Sequence, residues 1–515
     1  MELFGKTLNL SMIRYFFEKT AHDTGYLFKG LKIEKEPNFM ALQGQFPVIF
    51  LSLKAVRHSS WEQAYASIRS LVAGEYNRHR YLLEGDTLHV EEKKKYLQIL
   101  REEGSQTLYT YSLLLLTQCL HRYHKKRVIV LVDDYDTPAY AAYVGGYYDV
   151  WISFFINWLS AGLKDNSSLE RGVLTGAVSI PMANIFSGFN NLSTYTVLQD
   201  AFCDKFGLLE EEVKELVKEH HLEANLLQMR QWYDGYRIGS CRGIYNPWSV
   251  IKYLREEGDL APYWVNSCDN ALMRGLIAQG SEDFKADIEE LLKGGVIEKN
   301  IEEGLIFADL AKGPNAVWSL LLFSGYLTTE AGPTAPGSPS RLRIPNEEVL
   351  HLYRSMVIDW FEKSIHESKY CLLLQSLTKG DIDTFSKIFQ EFLLASVSVF
   401  DVASDQPEKI YHAFILGMLV GLGESYEVRS NRESGYGRYD VMLIPKDVKG
   451  LGIVLEFKRI DRFEKMDLET AAASALKQIQ DKKYDEELVS RGITRILHLS
   501  LVFEGEKVLI RAKQA

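Results

Sequence analysis

The sequence predicts an α/β protein with a mostly parallel N-terminal sheet, a helical middle and a second α/β domain at its C-terminal end. Short apolar segments alternate with amphipathic helices over the first 255 residues, which is typical of a doubly wound sheet. Helical periodicity dominates up to residue 402, and the remainder shows the order helix, three strands, helix, strands. We therefore expect domains at residues 1–255, 256–402 and 403–515.

The overall composition is that of a globular protein, with 46% hydrophobic and 25% charged residues among 515. A net charge of −10 gives no global basic field, so nucleic-acid binding would need a local basic patch. The five cysteines include no CxxC pair and predict neither a disulfide framework nor a zinc site, which fits a cytoplasmic location. The apolar runs are too short to span a bilayer, so no membrane association is expected.

A first candidate site lies at the start of the chain. Gly5-Lys6-Thr7 precedes a segment of helical periodicity and matches the second half of a P-loop. In that motif, backbone amides and the lysine contact the phosphates of ATP, and the threonine hydroxyl binds Mg²⁺. The first half of the motif would precede Met1, so we expect weak nucleotide affinity. Simple helix capping by Gly5 and Thr7 is the alternative.

A buried strand at residues 128–132 leads into a second group of candidate residues, Asp133, Asp134 and Asp136. Carboxylates at the C-terminal end of a parallel strand form the Walker B pattern. Asp133 would support Mg²⁺, and Asp134 takes the place of the usual catalytic glutamate. An acidic turn is the alternative interpretation. Neighbouring strands are predicted at 47–53 and 172–176, and helices at 60–78, 107–122 and 150–163.

The third candidate site is a pair of adjacent strands at residues 438–444 and 452–459. Alternation of side chains places Glu456 and Lys458 on one face of the second strand. Asp440 would face Glu456, so that both carboxylates could bind one Mg²⁺ or Mn²⁺ ion. Lys458 would stabilise charge on a phosphate or position an attacking water. An ordinary hairpin with an exposed ion pair is the alternative.

Helices are predicted on both sides of this hairpin, at residues 408–419 and 468–484, with strands at 426–429 and 493–503. Gln478 of the second helix is a candidate catalytic residue at the rim of the site. Glu408 and His412, one turn apart on the first helix, are weaker candidates. All three are otherwise ordinary helix-surface residues.

Aromatic residues and turns dominate the region between the sites. Trp232-Tyr233-Asp234-Gly235-Tyr236 and Asn246-Pro247-Trp248 predict a packed core rather than a base-stacking surface, because no Lys or Arg is interleaved with them. Residues 319–345 predict a helix followed by a β-hairpin, which is a candidate winged-helix element. It would contact DNA or pack on the N-terminal domain.

The pattern of Asp440, fifteen intervening residues and Glu456-x-Lys458 resembles the PD-(D/E)XK nuclease superfamily. Over essentially the whole chain, the sequence resembles bacterial AAA-ATPase-like proteins that end in such a domain. The motifs that carry this resemblance are Phe4-Gly5-Lys6-Thr7, Val132-Asp133-Asp134-Tyr135-Asp136, Leu174-Thr175-Gly176, residues 185–192, Trp232-Tyr233-Asp234-Gly235-Tyr236, Tyr245-Asn246-Pro247-Trp248-Ser249 and residues 429–440.

The resemblance implies a P-loop-type N-terminal domain and a restriction-endonuclease-like C-terminal domain. It implies ATP and Mg²⁺ (or Mn²⁺) as cofactors. The implied catalytic residues are Asp440, Glu456, Lys458 and Gln478, with Asp440 and Glu456 as metal ligands. The implied nucleotide-binding residues are Gly5, Lys6, Thr7, Asp133 and Asp134, with Thr7 and Asp133 as metal ligands.

Two functional hypotheses follow. The first is a metal-dependent nuclease coupled to an AAA-like ATP-binding module, with DNA favoured over RNA as the substrate. The second is a nucleotide-sensing interaction protein whose nuclease-like domain binds nucleic acid or a partner without cleavage. The complete set of Asp440, Glu456 and Lys458 favours the first, whereas the incomplete P-loop and the acidic balance favour the second. A homo-oligomer is compatible with both.

Overall fold

The computed structural model describes residues 4–177, 192–222, 225–264, 282–292, 294–303, 314–331, 337–364, 367–397, 415, 418–423, 425–430, 433–434, 437–460, 467–504 and 507–515. The chain divides into two compact units. The first comprises Met1–Arg230, Asp234–Asp259 and Lys299–Ser340, and the second comprises Gln231–Tyr233, Leu260–Glu298 and Arg341–Ala515. The predicted α/β class is confirmed, with a parallel N-terminal sheet, a helical middle and a mixed C-terminal sheet.

The α-helices are α1 Lys6–Phe17, α2 Pro37–Met40, α3 Trp61–Arg78, α4 Val90–Leu100, α5 Gln106–Thr110, α6 Ser112–His124, α7 Thr137–Val144, α8 Tyr148–Leu163, α9 Glu210–Glu219, α10 Leu226–Tyr233, α11 Pro247–Arg255, α12 Glu282–Leu292, α13 Pro314–Ser324, α14 Glu347–Ser364, α15 Glu367–Lys379, α16 Ile382–Val397, α17 Leu468–Asp481 and α18 Glu486–Ser490. Short 3-10 helices occupy Gly25–Phe28, Lys32–Lys35, Arg80–Leu83 and Val420–Leu422.

The strands are β1 Val48–Ser52, β2 Val128–Asp133, β3 Leu169–Leu174, β4 Leu208–Leu209, β5 Tyr236–Ile238, β6 Cys241–Tyr245, β7 Ile297–Lys299, β8 Thr328–Thr329, β9 Ser340–Arg343, β10 Tyr426–Ser430, β11 Glu433–Ser434, β12 Gly437–Arg438, β13 Val441–Pro445, β14 Gly452–Arg459, β15 Ile496–Glu504 and β16 Lys507–Gln514.

The first unit contains the parallel sheet that the apolar segments predicted. Its order is β1-β2-β3, and both strand pairs are parallel. Every residue of β2 is buried, as expected for a central strand covered on both faces. Leu10 of α1 packs on this sheet against Val48, Ile129 and Leu131. The start of α1 is thereby fixed relative to the sheet.

The helix predicted at residues 107–122 is instead divided into α5 and α6 at Tyr111. The hydroxyl of the buried Ser112 donates a hydrogen bond of 2.7 Å to the carbonyl of Tyr109. Such bonds from serine to a nearby carbonyl compete with the regular helical pattern. The apolar periodicity continues across this break, which is why the sequence predicted one helix.

A second sheet of the first unit is antiparallel, in the order β4-β6-β5. Tyr236 and Tyr245 of this sheet are fully buried, whereas Trp248 is 37% exposed. Cys203 and Cys241 form a disulfide with their Cα atoms 5.8 Å apart. The sequence predicted no disulfide framework, and it did not reveal this single pair, whose positions are 38 apart in the sequence.

The C-terminal sheet lies in the second unit and has the order β10-β13-β14-β15-β16. β13 and β14 are antiparallel and β14 and β15 are parallel, so α17 and α18 form the connection across the sheet. Successive side chains of β14 point to opposite faces of the sheet and pack in two different hydrophobic clusters. Ile453 and Leu455 pack in a cluster that contains Phe389 of α16, whereas Val454 packs with Ile479 of α17.

Several predictions fall wholly or partly outside the described residues. These include Glu408 and His412, most of the helix predicted at 408–419, residues 185–191 of one motif, and part of the loop in the candidate winged-helix element. α13, β8 and β9 lie in that last region. No helix within the described ranges is both long and apolar enough to cross a membrane.

Candidate functional sites

Asp440 and Glu456 lie opposite one another at the end of the β13–β14 strand pair. Asp440 immediately precedes β13, and the register pairs Val441 with Leu455, so the next positions along each strand are 440 and 456. The Oδ2 atom of Asp440 accepts a hydrogen bond of 2.7 Å from the backbone N–H of Phe457. The Asp440 carboxylate is thus fixed against the strand that carries Glu456.

Glu456 is a buried carboxyl group whose side chain is only 5% exposed. Its Oε1 atom accepts a hydrogen bond of 2.5 Å from Nε2 of Gln478, and its Oε2 atom has no hydrogen-bond partner in the described part of the chain. Burial, together with the negative charge of Asp440, raises the pKa of Glu456 to about 8, while the positive charge of Lys458 opposes that rise. Without a further cation, Glu456 is therefore mostly protonated at neutral pH.

Side chains of β14 and of helix α17 surround this carboxyl pair. Lys458, two residues beyond Glu456 on β14, donates a hydrogen bond of 2.9 Å from Nζ to Oγ of Ser474. Gln478 lies one turn further along α17, and its Nε2 atom also lies 3.3 Å from the hydroxyl of Tyr484. The alternation of β14 and the pitch of α17 together bring these groups to one place.

The donor set of this site fits a hard divalent cation. Mg²⁺ prefers carboxylate oxygens, and the Oε2 atom of Glu456 is a buried acceptor without a partner. Across the described ranges, no group of three or more His, Cys, Asp and Glu side chains is arranged to hold a metal ion. Two carboxylates would leave the other coordination positions of Mg²⁺ to water and phosphate oxygens.

The Gly-Lys-Thr segment forms the N-terminal end of α1. Gly5 occupies the N-cap position with a φ of 82°, a left-handed conformation that favours glycine, and Lys6 and Thr7 begin the helix. The N–H groups of a first helical turn attract anions such as phosphate. Thr7 is exposed at this end of α1. The local geometry is therefore compatible with phosphate binding.

The acidic residues after β2 form the second half of this site. Asp133 is fully buried; its Oδ1 atom accepts a hydrogen bond of 2.6 Å from the hydroxyl of Thr175, and its Oδ2 atom has no partner in the part of the chain that is described. Burial and the charge of Asp133 raise the pKa of Asp134 to about 6, whereas Lys6 lowers it. The charge of Lys6 therefore acts on the acidic end of β2.

The sequence did not single out Lys54 or the hydrogen bond made by Thr175. Leu53, the residue after β1, donates a backbone hydrogen bond of 2.9 Å to the carbonyl of Asp133. Lys54 comes next, and its positive charge also lowers the pKa of Asp134. Lys54 lies two residues beyond the end of β1, and Thr175 directly follows β3. Polar residues at that edge of a parallel sheet are candidate ligand contacts, and this signal could have identified them.

The sequence also missed Ser474 and Tyr484 at the C-terminal site. Ser474 precedes Gln478 by one helical turn, so the spacing on one helix face was a usable signal. Tyr484 lies beyond the end of α17, and its hydroxyl reaches Gln478 only because the chain turns after Asp481. No pattern in the sequence predicts that contact.

The comparisons with known proteins agree with this architecture. Residues 3–186 match a family described as predicted AAA-ATPase, and residues 406–513 match the PD-(D/E)XK nuclease superfamily. The chain is 24% identical over 377 residues to a protein of Azotobacter chroococcum mcd 1 described as an uncharacterized protein in the vnfD 5' region. That match covers 71% of this chain and 67% of the relative. No solved structure matches the chain.

The two family matches fall on the two regions that contain the candidate sites. The chain therefore joins an N-terminal region that is similar to predicted AAA-ATPases to a C-terminal region that is similar to the PD-(D/E)XK nuclease superfamily, as its motifs predicted.

Proposed function

We propose that this protein is a divalent-metal-dependent nuclease coupled to an AAA-like ATP-binding module. The observation that carries the proposal is the buried Glu456 carboxyl beside Asp440, with one oxygen atom that lacks a partner in the described structure. Burying the Glu456 carboxylate beside the partly exposed carboxylate of Asp440 costs several kcal/mol or forces one of them to take up a proton. A bound divalent cation stabilises both carboxylates in their ionised form, so a metal site explains why they lie together.

Asp440 and Glu456 bind Mg²⁺ or Mn²⁺ in this proposal. The bound ion stabilises negative charge on the phosphate and lowers the pKa of a bound water. Gln478 orients Glu456 through its hydrogen bond to Oε1. Lys458 leaves Ser474 to contact the phosphate or to position the attacking water. The substrate is a nucleic acid, with DNA favoured over RNA.

In the N-terminal region, Gly5, Lys6 and Thr7 contact the phosphates of ATP. Thr7 and Asp133 hold the Mg²⁺ ion, and Asp134 positions water near the terminal phosphate. The partnerless Oδ2 atom of Asp133 and the influence of Lys6 on the pKa of Asp134 support this assignment. The proposed domains are residues 1–255, 256–402 and 403–515, and the proposed location is the cytoplasm.

The direct test is cleavage of plasmid DNA, single-stranded DNA and RNA in the presence of Mg²⁺ or Mn²⁺. Wild-type protein should cleave at least one substrate, and both Asp440→Ala and added EDTA should abolish the cleavage. Lys477→Ala, at an exposed position of α17, is the matched control and should retain activity. Equal cleavage by wild type and Asp440→Ala would overturn the proposal.

The second candidate is a nucleotide-sensing interaction protein whose C-terminal region binds nucleic acid or a partner without cleaving it. The net charge of −10 favours this candidate because it weakens attraction to a polyanion. Gel-shift binding of a substrate that stays intact with Mg²⁺ and with Mn²⁺ would select the second candidate over the first.

A further inference from the structure

Two cysteines that are distant in the sequence meet beside the first unit's antiparallel sheet, at the start of its central strand. Cys241 is the first residue of β6, and Cys203 lies in the segment of residues 197–207 that precedes β4. Both side chains are partly exposed. By contrast, Cys119 is buried, and burial raises the pKa of its thiol to about 12. The Cys203–Cys241 pair is thus accessible to small thiols and disulfides, whereas Cys119 is shielded from them.

The disulfide joins a segment and a turn that already touch through hydrogen bonds. The N–H of Gly239 donates a bond of 2.8 Å to the carbonyl of Val197, and the N–H of Ser240 donates a bond of 2.6 Å to Oδ1 of Asp200. A Cβ atom on Gly239 would lie 2.6 Å from the carbonyl oxygen of Gln199, so only glycine allows this approach. The β5–β6 turn therefore holds one end of the 197–207 segment.

The other end of the same segment holds the start of the Gly-Lys-Thr motif. The N–H of Gly207 donates a hydrogen bond of 3.1 Å to the carbonyl of Phe4, and Nδ2 of Asn9 donates one of 2.9 Å to the carbonyl of Lys205. The buried Phe4 ring also packs edge-on against Tyr236 of β5, with 4.8 Å between ring centroids. Residues on both sides of Gly5 are therefore attached to the segment that contains Cys203.

We propose that Cys203 and Cys241 form a reversible dithiol–disulfide site that controls how firmly residues 4–9 are held, and hence the affinity of the protein for ATP with Mg²⁺. The affinity part of the proposal rests on the proposed nucleotide binding. The disulfide links two positions that are 38 apart in the sequence, which restricts the alternative positions of the 197–207 segment. Reduction removes that restriction and leaves hydrogen bonds and packing contacts to hold the segment.

The chemistry needs a small-molecule disulfide such as oxidised glutathione. One cysteine thiolate attacks a sulfur atom of that disulfide, which forms a mixed disulfide and releases one small thiolate. The second cysteine thiolate attacks the mixed disulfide, forms the Cys203–Cys241 bond and releases the second thiolate. Two protein thiols and one small disulfide thus give one protein disulfide and two small thiols. Excess dithiothreitol reverses both steps.

The experiment compares the full chain equilibrated with oxidised glutathione and with dithiothreitol. Alkylation followed by mass spectrometry reports which thiols are protected, and hydrogen–deuterium exchange reports how firmly residues 4–9 are held. We expect Cys203 and Cys241 to be protected only in the oxidised sample. Exchange at residues 4–9 should slow roughly tenfold or more on oxidation, because the cross-link opposes local opening. The affinity for ATP with Mg²⁺ should rise in parallel.

Cys203→Ser should exchange at residues 4–9 like the reduced wild type under both conditions, whereas the control Cys371→Ser, which removes an exposed thiol, should respond like wild type. Full alkylation of Cys203 and Cys241 in the oxidised sample would overturn the proposal. Formation of the disulfide without any change in exchange at residues 4–9 would also overturn it. If neither form binds ATP, the proposed nucleotide binding fails, while the exchange data still decide the redox coupling.

Discussion

The negative charge of Asp440 raises the pKa of Glu456, its neighbour across the β13–β14 strand pair. Burial of Glu456 acts in the same direction and is the larger cause, so that its pKa reaches about 8. The hydrogen bond from Gln478 and the charge of Lys458 oppose this rise without cancelling it. The site therefore holds a proton that a cation can replace.

Binding of Mg²⁺ should release protons at neutral pH. Because the pKa of Glu456 is about 8, most molecules carry a proton on this side chain at pH 7 and must lose it when the ion binds. Isothermal titration calorimetry in buffers of different ionisation enthalpy should show release of about one proton per ion at pH 7, and much less at about pH 9. Buffer-independent heats for the wild type at pH 7 would contradict the prediction.

Metal-free stability should fall as the pH rises. Glu456 has a pKa of about 8 in the folded protein and an ordinary pKa of 4.5 in the unfolded chain, so the folded state binds more protons between these pH values. Its stabilising contribution is complete below pH 4.5 and is lost as the pH rises through about 8, at about 1.4 kcal/mol for each unit of pKa difference. Urea unfolding in EDTA measures this slope, and Glu456→Gln should flatten it. An equal slope in the variant and the wild type would exclude this origin.

Lys458→Ala should separate metal binding from cleavage. The Nζ atom of Lys458 donates its hydrogen bond to Ser474, so the lysine is not a metal ligand. Loss of its charge raises the pKa of Glu456 but also removes repulsion of the cation, so metal affinity should stay within a few-fold of wild type. Cleavage should fall roughly 100-fold, because a charged donor at the phosphate is lost. Asp440→Asn should reduce both properties. A loss of metal affinity in Lys458→Ala as large as in Asp440→Asn would show that the lysine acts through the metal site instead.

Gln478→Ala should weaken metal binding although Gln478 is not a proposed ligand. Its hydrogen bond lowers the pKa of Glu456, so without it the carboxyl holds its proton more strongly. The pH at which half-maximal Mg²⁺ binding occurs should therefore move upward. Gln480→Ala is the control, because Gln480 contacts Lys513 and not the carboxyl pair. If both variants shift the pH profile equally, the effect does not come from the bond to Glu456.

Asp133→Asn distinguishes a nucleotide site from an acidic turn. Asparagine keeps the oxygen atom that accepts the hydrogen bond from Thr175, so the fold should remain stable. If Asp133 supports Mg²⁺, ATP affinity in the variant should no longer depend on Mg²⁺, which fluorescence titration can measure. Asp136, whose Oδ2 atom accepts a hydrogen bond of 2.8 Å from the N–H of Ala177, serves as the comparison through Asp136→Asn. Unchanged Mg²⁺ dependence in Asp133→Asn would favour the turn.

The sequence predicted what depends on local periodicity. The apolar segment that ends at Asp133 became a buried central strand, and the alternation of β14 predicted the face shared by Glu456 and Lys458. Contacts between distant segments were not predictable in this way. The pairing of Cys203 with Cys241 and the hydrogen bond between Gln478 and Tyr484 depend on how turns direct the chain, which composition and spacing do not encode.

The opposed faces of β14 also limit which insertions and deletions the C-terminal site can tolerate. Residues 446–451 form the turn between β13 and β14, so a change in its length alters the distance in sequence from Asp440 to Glu456 without moving either side chain to another face. A single residue inserted within β14 between Val454 and Glu456 would instead turn Glu456 and Lys458 toward the core that contains Leu455. Relatives of this protein should therefore vary in the fifteen-residue spacing but keep Glu456-x-Lys458 intact.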